Sequence, residues 1–343
     1  MTRSSSPSRA KNLRLIGLVA LVPLLMSCST PAPKPTKTPK PTPTIAMSIA
    51  PLSGELLPSA DLEHPSLAAK IDNHEDARPQ WGLNRTDVVF EELVEGGLTR
   101  YVAVWHSDIP HLIGPVRSIR PMDPDIITPF GGIVAYSGGQ QKFVDMMLDT
   151  PVYNAIHGTS STENLMYRTD ERDAPHNVIV KAQKLVAEHG DFAQPQQMFS
   201  FAPEYATALN WRGKPANTIN VTFSDSRYPR WTYSPLEHVY LRSQEGDVKD
   251  FDASSKTRIH ATTVIVMFVD IDWTYGYVPK TVMVGSGKAW ISSGGKSTLV
   301  TWSKASRSEP IVFTDASGRV VSIPAGNTWI EMPPRDGGSV SFK

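Results

Sequence analysis

The chain contains one cysteine, Cys28, which follows an apolar segment near the N-terminus. A lone thiol forms no intramolecular disulfide and no multi-thiolate metal site, so a hydrophobic core has to stabilise the folded body. Residues 15–26 (LIGLVALVPLLM) are preceded by basic side chains and by no acidic one. A basic segment before a short apolar run is typical of a signal peptide, and this run is too short to span a membrane.

The residues around Cys28 indicate lipid attachment. Leu25-Met26-Ser27-Cys28 resembles a bacterial lipobox, with an apolar residue at −3 and a small one at −1. We therefore predict a lipoprotein signal peptide over residues 1–28, acylation of Cys28 (palmitate), and an extracytoplasmic protein anchored by lipid to the bacterial cell membrane. The alternative is an ordinary secretory signal with an incidental cysteine.

Charge and low complexity separate the N-terminal part from the rest of the chain. Residues 29–50 are rich in Pro, Thr and Lys, a composition that favours an extended tether over a packed fold. Seven of the 34 basic residues and none of the 34 acidic ones lie within residues 1–50, so the remainder has a net charge of −7. An acidic body argues against nucleic acid as a partner.

Beyond the tether, the sequence predicts a mixed α/β (α+β) protein of two domains. Residues 51–210 combine strand and helix patterns, including helical spacing over residues 140–148 and 181–189. Residues 211–343 contain many short strands separated by Gly, Pro, Ser and Asp, which is typical of a mainly antiparallel β domain.

Charged residues cluster on a predicted hairpin. Residues 87–94 and 98–106 favour strands, and Gly96-Gly97 between them is typical of a two-residue turn. Such a turn would collect charges on one face: Asp87 opposite His106, and Arg100 flanked by Glu91 and Glu95. This face is either a binding face, with His106 made more basic by Asp87, or a solvated face of cross-strand ion pairs.

Two more arginines follow in residues 113–120 (IGPVRSIR). Asp123-Pro124 then favours the start of a short helix, whose free amides beside the guanidinium groups could bind a carboxylate or phosphate. The predicted ligand-binding residues are Arg100, Arg117, Ser118, Arg120 and Asn177. Alternatively, these arginines pair with nearby carboxylates such as Glu91, Glu92 and Glu95.

An enzymatic alternative rests on carboxylates and histidines. A hydrolase acting on cell-wall material could draw its acid–base residues from Glu91, Glu92, His106, His157 and His176. No nucleophile motif and no metal-binding motif accompanies them. We therefore assign no catalytic residue, metal ligand or cofactor from the sequence.

Separated segments of the chain resemble the YerB-like lipoproteins. The clearest are residues 70–73 (KIDN), 77–80 (ARPQ), 91–97 (EELVEGG), 113–120, 174–177 (APHN), 287–290 (GKAW), 301–304 (TWSK) and 326–331 (GNTWIE). The resemblance implies a two-domain extracytoplasmic lipoprotein of unknown function and carries over no catalytic residue.

These observations favour a non-catalytic, membrane-anchored protein that binds an anionic ligand or an envelope partner. A cell-wall polymer or an envelope protein is the expected class of partner, because a lipid on Cys28 would place the body outside the cell membrane.

Overall fold

The computed structural model of the protein describes residues 45–204, 208 and 212–343. Cys28, the predicted signal peptide and most of the predicted tether lie outside the described residues. The last part of that tether is described, and its residues Met47–Ile49 form a strand. Within the described ranges, no helix is both long enough and apolar enough to cross a membrane.

Strands dominate the described part of the chain. They are β1 Met47–Ile49, β2 Leu56–Pro58, β3 Leu67–Asp72, β4 Val88–Leu93, β5 Thr99–Trp105, β6 Leu112–Ile113, β7 Ile133–Tyr136, β8 Tyr153–Ile156, β9 Met166–Arg168, β10 Val178–Lys181, β11 Ser200–Phe201, β12 Lys214–Pro215, β13 Thr218–Thr222, β14 Arg230–Ser234, β15 Val239–Ser243, β16 His260–Ala261, β17 Thr263–Met267, β18 Ile271–Asp272, β19 Lys280–Thr281, β20 Gly285–Ser293, β21 Lys296–Lys304, β22 Val312–Thr314, β23 Ser322–Ile323, β24 Thr328–Glu331 and β25 Ser339–Phe342.

The α-helices of the described residues all precede residue 190: α1 Asp123–Ile127, α2 Gln141–Leu148 and α3 Ala182–Glu188. Short 3₁₀ turns occupy Ser59–Leu62, Glu75–Ala77, Leu83–Arg85, Glu95–Gly97, Thr128–Phe130 and Ser160–Thr162. Helices α2 and α3 agree with the helical spacing in the sequence, which buries one face of each. The protein is mostly β and holds less helix than the α/β prediction for its N-terminal part implies.

One large sheet combines strands from both halves of the chain. Its order is β12-β21-β20-β17-β24-β4-β5-β3-β7-β8, with β22 beside β21. Strand β24 pairs in parallel with β17 on one side and with β4 on the other. The strands after residue 211 therefore continue the sheet begun by the N-terminal strands, and the contact between β24 and β4 joins the two halves.

Both faces of this sheet are buried at β4 and β5. Val88 and Phe90 of β4 face a core that also contains Ile119 and Phe143. Val89, on the opposite face, belongs to a second core, which includes residues of a five-stranded sheet in the order β16-β15-β14-β13-β25. Charged residues on β4 or β5 are consequently surrounded by protein on either face.

The hairpin register differs from the prediction. Val94 N donates to Leu98 O at 2.8 Å and encloses a three-residue turn, so Glu92 lies opposite Arg100 and Glu91 opposite Tyr101. A shift of one residue exchanges the cross-strand partners on both faces. The prediction of a two-residue turn was wrong. Both faces of the hairpin are buried, so its residues do not alternate between polar and apolar, and the pattern that would specify the register is missing.

Candidate functional site

Three predicted arginines converge on one cavity of about 290 Å³. Arg100 lies at the start of β5, and Arg117 and Arg120 lie in the segment between β6 and α1. The other polar residues lining the cavity are Asp72, His74, Glu95, Thr99, His176 and Tyr277. Arg100, Arg117, Arg120 and His176, which the sequence singled out for different reasons, thus line one cavity, and their roles remain predictions.

Strand register brings opposite charges side by side beneath the cavity. Asp72 ends β3 directly opposite Arg100 on β5, and Arg100 lies opposite Glu92 on β4. Directly opposed residues of antiparallel strands project from the same face of a sheet. This face thus presents a row of carboxylate, guanidinium and carboxylate across three strands.

Two of the arginines are paired with carboxylates. Arg120 Nε and Nη2 each lie 2.8 Å from an oxygen of Glu95, a bidentate contact. Burial by itself would raise the pKa of Glu95, but the hydrogen bonds and charge of Arg120 hold it below its usual value. Arg117 Nε lies 3.1 Å from Asp72 Oδ2.

Arg100 differs from its neighbours because it has no ion pair with any described residue. Its Nη1 donates to the carbonyl oxygen of Ser118 at 2.9 Å, and its residue surface is only 8% exposed. Burial, reinforced by the charges of Arg120 and Arg117, lowers the pKa of Arg100 to about 10. The cavity therefore contains a nearly buried guanidinium without a carboxylate partner.

Asp72 also positions the two histidines of the cavity. Its Oδ2 lies 2.7 Å from His176 Nδ1, and its Oδ1 accepts a hydrogen bond from the main-chain N–H of His74 at 3.1 Å. The two imidazole rings stack with their centroids 4.4 Å apart and their planes 23° apart.

The helix start predicted to bind anions is engaged within the protein. Asp123 lies in the first turn of α1, where its carboxylate accepts from the main-chain N–H of Arg120 at 2.5 Å and from Lys70 Nζ at 2.7 Å. Lys70 also contacts Glu92. Burial lowers the pKa of Lys70 to about 8, opposed by Asp123. The first amides of α1 are also engaged, because Asp123 N donates to Arg120 O and Asp125 N donates to Met122 O, so these groups are not free for an anion.

Glu91 projects from the opposite face of the sheet into a separate buried cluster. Its Oε2 lies 2.5 Å from Arg242 Nη2, and its Oε1 accepts from Thr99 Oγ1 at 2.6 Å. Arg242 also pairs with Asp250 at 2.6 Å. Neither Glu91 nor Glu92 lines the cavity, and both side chains are fully buried.

Among the described residues, the Asp87 carboxylate makes no hydrogen bond to the His106 ring, contrary to the prediction. Asp87 Oδ2 instead accepts the main-chain N–H groups of His106 and Ser107, at 2.6 and 2.9 Å. His106 Nε2 lies 3.1 Å from the carbonyl oxygens of Leu62 and His64. Burial lowers the pKa of His106 to about 4, so the prediction of a more basic ring was wrong.

Three other predicted site residues lie outside the cavity lining. Ser118 contributes its carbonyl oxygen to Arg100 and donates its hydroxyl to Ser137 O at 3.2 Å. Asn177 accepts from Arg168 at 2.7 Å and donates to two carbonyl groups of its own loop. His157 is half-buried, and burial together with Arg168 lowers its pKa.

Sequence reasoning missed Asp72, His74 and Tyr277 as cavity residues. The signal for Asp72 was available: Lys70 and Asp72 are charged residues in an otherwise apolar strand, LAAKID, which is fully buried. A charge in a buried strand requires a partner. Tyr277 comes from the loop between β18 and β19, and nothing local in the sequence associates it with the cavity.

Comparison with known proteins agrees with this architecture. The chain is 26% identical over 316 residues to the Bacillus subtilis (strain 168) protein named "Putative lipoprotein YerB", covering 85% of this chain and 88% of that protein. The crystal structure of the YerB protein from Bacillus subtilis superposes with a TM-score of 0.73 at 22% identity, covering 85% of this chain and 99% of that chain, which shows the shared fold.

Two sequence families cover most of the chain. Residues 52–193 match "Protein of unknown function (DUF3048) N-terminal domain", and residues 219–330 match the corresponding C-terminal domain. These matches confirm the resemblance noted in the separated sequence segments. The chain belongs to the DUF3048 family of YerB-like lipoproteins.

Proposed function

We propose that the protein is a lipid-anchored, extracytoplasmic envelope protein that binds an anionic group in the cavity formed by Arg100, Arg117 and Arg120. The single observation that carries this proposal is Arg100, a nearly buried guanidinium with no carboxylate partner among the described residues. Asp72 and Glu95 offset the charge of Arg100 only from beyond ion-pair distance, and an oxyanion would give this buried guanidinium a direct partner.

The chemistry of the cavity fits a single oxyanion. Guanidinium groups bind carboxylate and phosphate oxygens through parallel N–H donors, and Arg117 and Arg120 lie beside Arg100. A volume of about 290 Å³ is at the lower end for small-molecule sites, so the cavity suits one anionic group of a larger molecule. A cell-wall polymer bearing phosphate or carboxylate groups is the ligand class that matches the proposed location.

The contacts favour binding over hydrolysis. A glycan hydrolase needs two carboxyl groups free to act on the scissile bond. The carboxylates lining this cavity, Asp72 and Glu95, are held by Arg117, His176 and Arg120. The site is therefore proposed as non-catalytic.

The test measures binding of inorganic phosphate to the full-length lipoprotein in detergent micelles by isothermal titration calorimetry. Arg100→Gln keeps a donor for Ser118 O and removes the charge; a charge-assisted hydrogen bond contributes about 1.5–3 kcal/mol, so we expect at least a tenfold loss of affinity. Arg230→Gln is the matched control, because Arg230 pairs with Asp247 at an exposed site. Equal affinity of Arg100→Gln and Arg230→Gln, or no binding by the unmodified protein, would overturn the proposal.

A further inference from the structure

The mouth of the cavity brings together two histidines and a carboxylate. His74, Asp76 and His176 each offer one nitrogen or oxygen atom, and these atoms lie within 4.8 Å of one another. His74 and Asp76 belong to the turn after β3, whereas His176 arrives from the loop before β10, about a hundred residues later in the sequence. Convergence of such donors from distant segments is the usual construction of a metal site.

We propose that His74, His176 and Asp76 bind a divalent transition-metal ion of the Zn²⁺ type. Two imidazoles and a carboxylate form the donor set that Zn²⁺ takes with three protein ligands, leaving a further coordination position open. This inference goes beyond the proposed anion binding and does not depend on it.

The supporting contact is the hydrogen bond between Asp72 and His176. The carboxylate of Asp72 is nearly buried and lies 2.7 Å from His176 Nδ1. Because a carboxylate accepts, the neutral imidazole donates from Nδ1 and keeps the lone pair of Nε2 for a metal. A carboxylate behind a ligating histidine is the arrangement that fixes the tautomer and orientation of the ring in metal sites.

The contacts of His74 are local. Asp72 holds its main-chain N–H, and its Nδ1 accepts from the main-chain N–H of Asp76 at 3.2 Å, a long hydrogen bond that His74 must release for either ring nitrogen to bind the metal. The Asp76 carboxylate has no Lys or Arg partner among the described residues. Its side chain is 72% exposed and that of His74 34% exposed, so both can move toward an ion.

The amount of movement is small. Metal–nitrogen and metal–oxygen bonds of about 2.0–2.2 Å place tetrahedral ligand atoms about 3.3–3.6 Å apart. Ligand atoms within 4.8 Å of one another therefore need to approach by roughly 1 Å. The site would require rotation of the half-buried His74 and the exposed Asp76 side chains, both on the turn after β3.

The ion would lie next to the arginine cavity, which His74 and His176 also line. A metal with an open position there would contact an anion held by the arginines. Zn²⁺ bound to the histidines and phosphate bound to the arginines are nevertheless measurable separately, since each probe is titrated in the absence of the other.

The experiment titrates ZnCl₂ into the full-length, untagged lipoprotein in detergent and phosphate-free buffer, followed by isothermal titration calorimetry. The expected result is one ion per chain with micromolar or tighter affinity, weakened at least tenfold in His74→Ala and in His176→Ala. His111→Ala is the matched control, because His111 is an exposed histidine outside the cavity lining. Asp72→Asn tests the positioning contact, with an expected loss of 10- to 100-fold.

The outcomes separate the two proposals. Absence of Zn²⁺ binding in the unmodified protein, or the same loss in His111→Ala as in His176→Ala, overturns the metal site, whatever the result with phosphate. Substituting Co²⁺ adds a second readout, because its visible absorption reports nitrogen and oxygen coordination; an unchanged aquo-ion spectrum also overturns the site.

Discussion

Glu91 and Arg242 form a fully buried ion pair between residues 151 positions apart, with 2.5 Å between Oε2 and Nη2. Arg242 is also enclosed by the aromatic rings of Tyr101, Trp231 and Trp329. The pair connects strand β4 with strand β15 of the five-stranded sheet. The two sheets are therefore joined by a buried charged contact, which Asp250 and Glu331 extend into a cluster.

Removing the cation should destabilise the fold strongly. Arg242→Met leaves the carboxylates of Glu91 and Asp250 buried without a counter-charge, and we expect a loss of about 3–5 kcal/mol in the free energy of unfolding. Urea denaturation measures this value. Arg230→Met, which breaks an exposed pair with Asp247, should cost about 1 kcal/mol or less. Equal losses in the two variants would contradict the role assigned to the buried pair.

The two carboxyl groups paired across β24 and β4 should respond differently to amide substitution. Burial, together with the neighbouring Glu91, raises the pKa of Glu331 well above its usual value, which favours the neutral carboxyl in the folded protein. Glu331→Gln resembles the neutral carboxyl and should therefore be tolerated, whereas Glu91→Gln should destabilise the protein by removing the partner of Arg242.

The effect of Glu331→Gln on the free energy of unfolding should change with pH in one direction. A pKa that is higher in the folded state contributes stability that is lost as pH rises through it. Glu331→Gln should thus gain stability relative to the unmodified protein as the pH is raised from about 4 through neutral, as measured by urea denaturation. A variant that falls behind the unmodified protein at alkaline pH would show that Glu331 is ionised in the fold.

The buried carboxyl of Asp87 should make the stability of the protein depend on pH in a second, lower range. Burial raises its pKa to about 6 from 3.8, although the N–H groups of Ser107 and His106 oppose the shift. Its contribution to stability is therefore fully present below about pH 4 and lost as pH rises through 6. Asp87→Asn has no ionisable group at this position, so the variant should not lose this stability as the pH rises.

The measurement compares unfolding free energies of Asp87→Asn and the unmodified protein at pH 4 and pH 7.5. A shift of roughly two pKa units corresponds to about 3 kcal/mol, so the variant should gain about that much relative to the unmodified protein between the two pH values. Taking the difference at each pH cancels the other titrating groups, including His106. A difference independent of pH would refute the raised pKa.

Cys28→Ala should release the protein from the membrane, because lipid on this residue is the proposed anchor and the described residues contain no spanning helix. Membrane fractionation with immunoblotting checks this expectation. Ser27→Ala keeps a small residue before the cysteine and should retain the protein in the membrane fraction. Unchanged fractionation of Cys28→Ala would rule out the lipid anchor.

Local patterns predicted most of the elements around the cavity. The alternation and β-branched content of residues 87–106 indicated two strands, which the structure forms as β4 and β5. The Arg117 and Arg120 segment stood out because two guanidinium groups follow a Gly-Pro turn. The predicted register was wrong, because register follows from which face is solvated and neither face of β4 or β5 is.

Glu91 and Glu92 show more clearly what the sequence could not predict. Adjacent residues of a strand project to opposite faces, so one glutamate had to differ from the other in surroundings. Their partners, Arg242 and Lys70, lie on strands that reach them only through the assembled sheets. No spacing within residues 87–106 contains that information.

The sequence by itself indicated the family, the candidate lipid anchor, several of the strands and helices, and the arginines proposed to bind a ligand, because these follow from recognisable residue types at short spacing. Only the tertiary structure decided that Asp72 holds two histidines, that Arg100 lacks a carboxylate and that Glu91 pairs with Arg242. The physical reason is that the energy of a buried charge depends on partners within a few ångströms in space, and here those partners are brought together from distant parts of the chain.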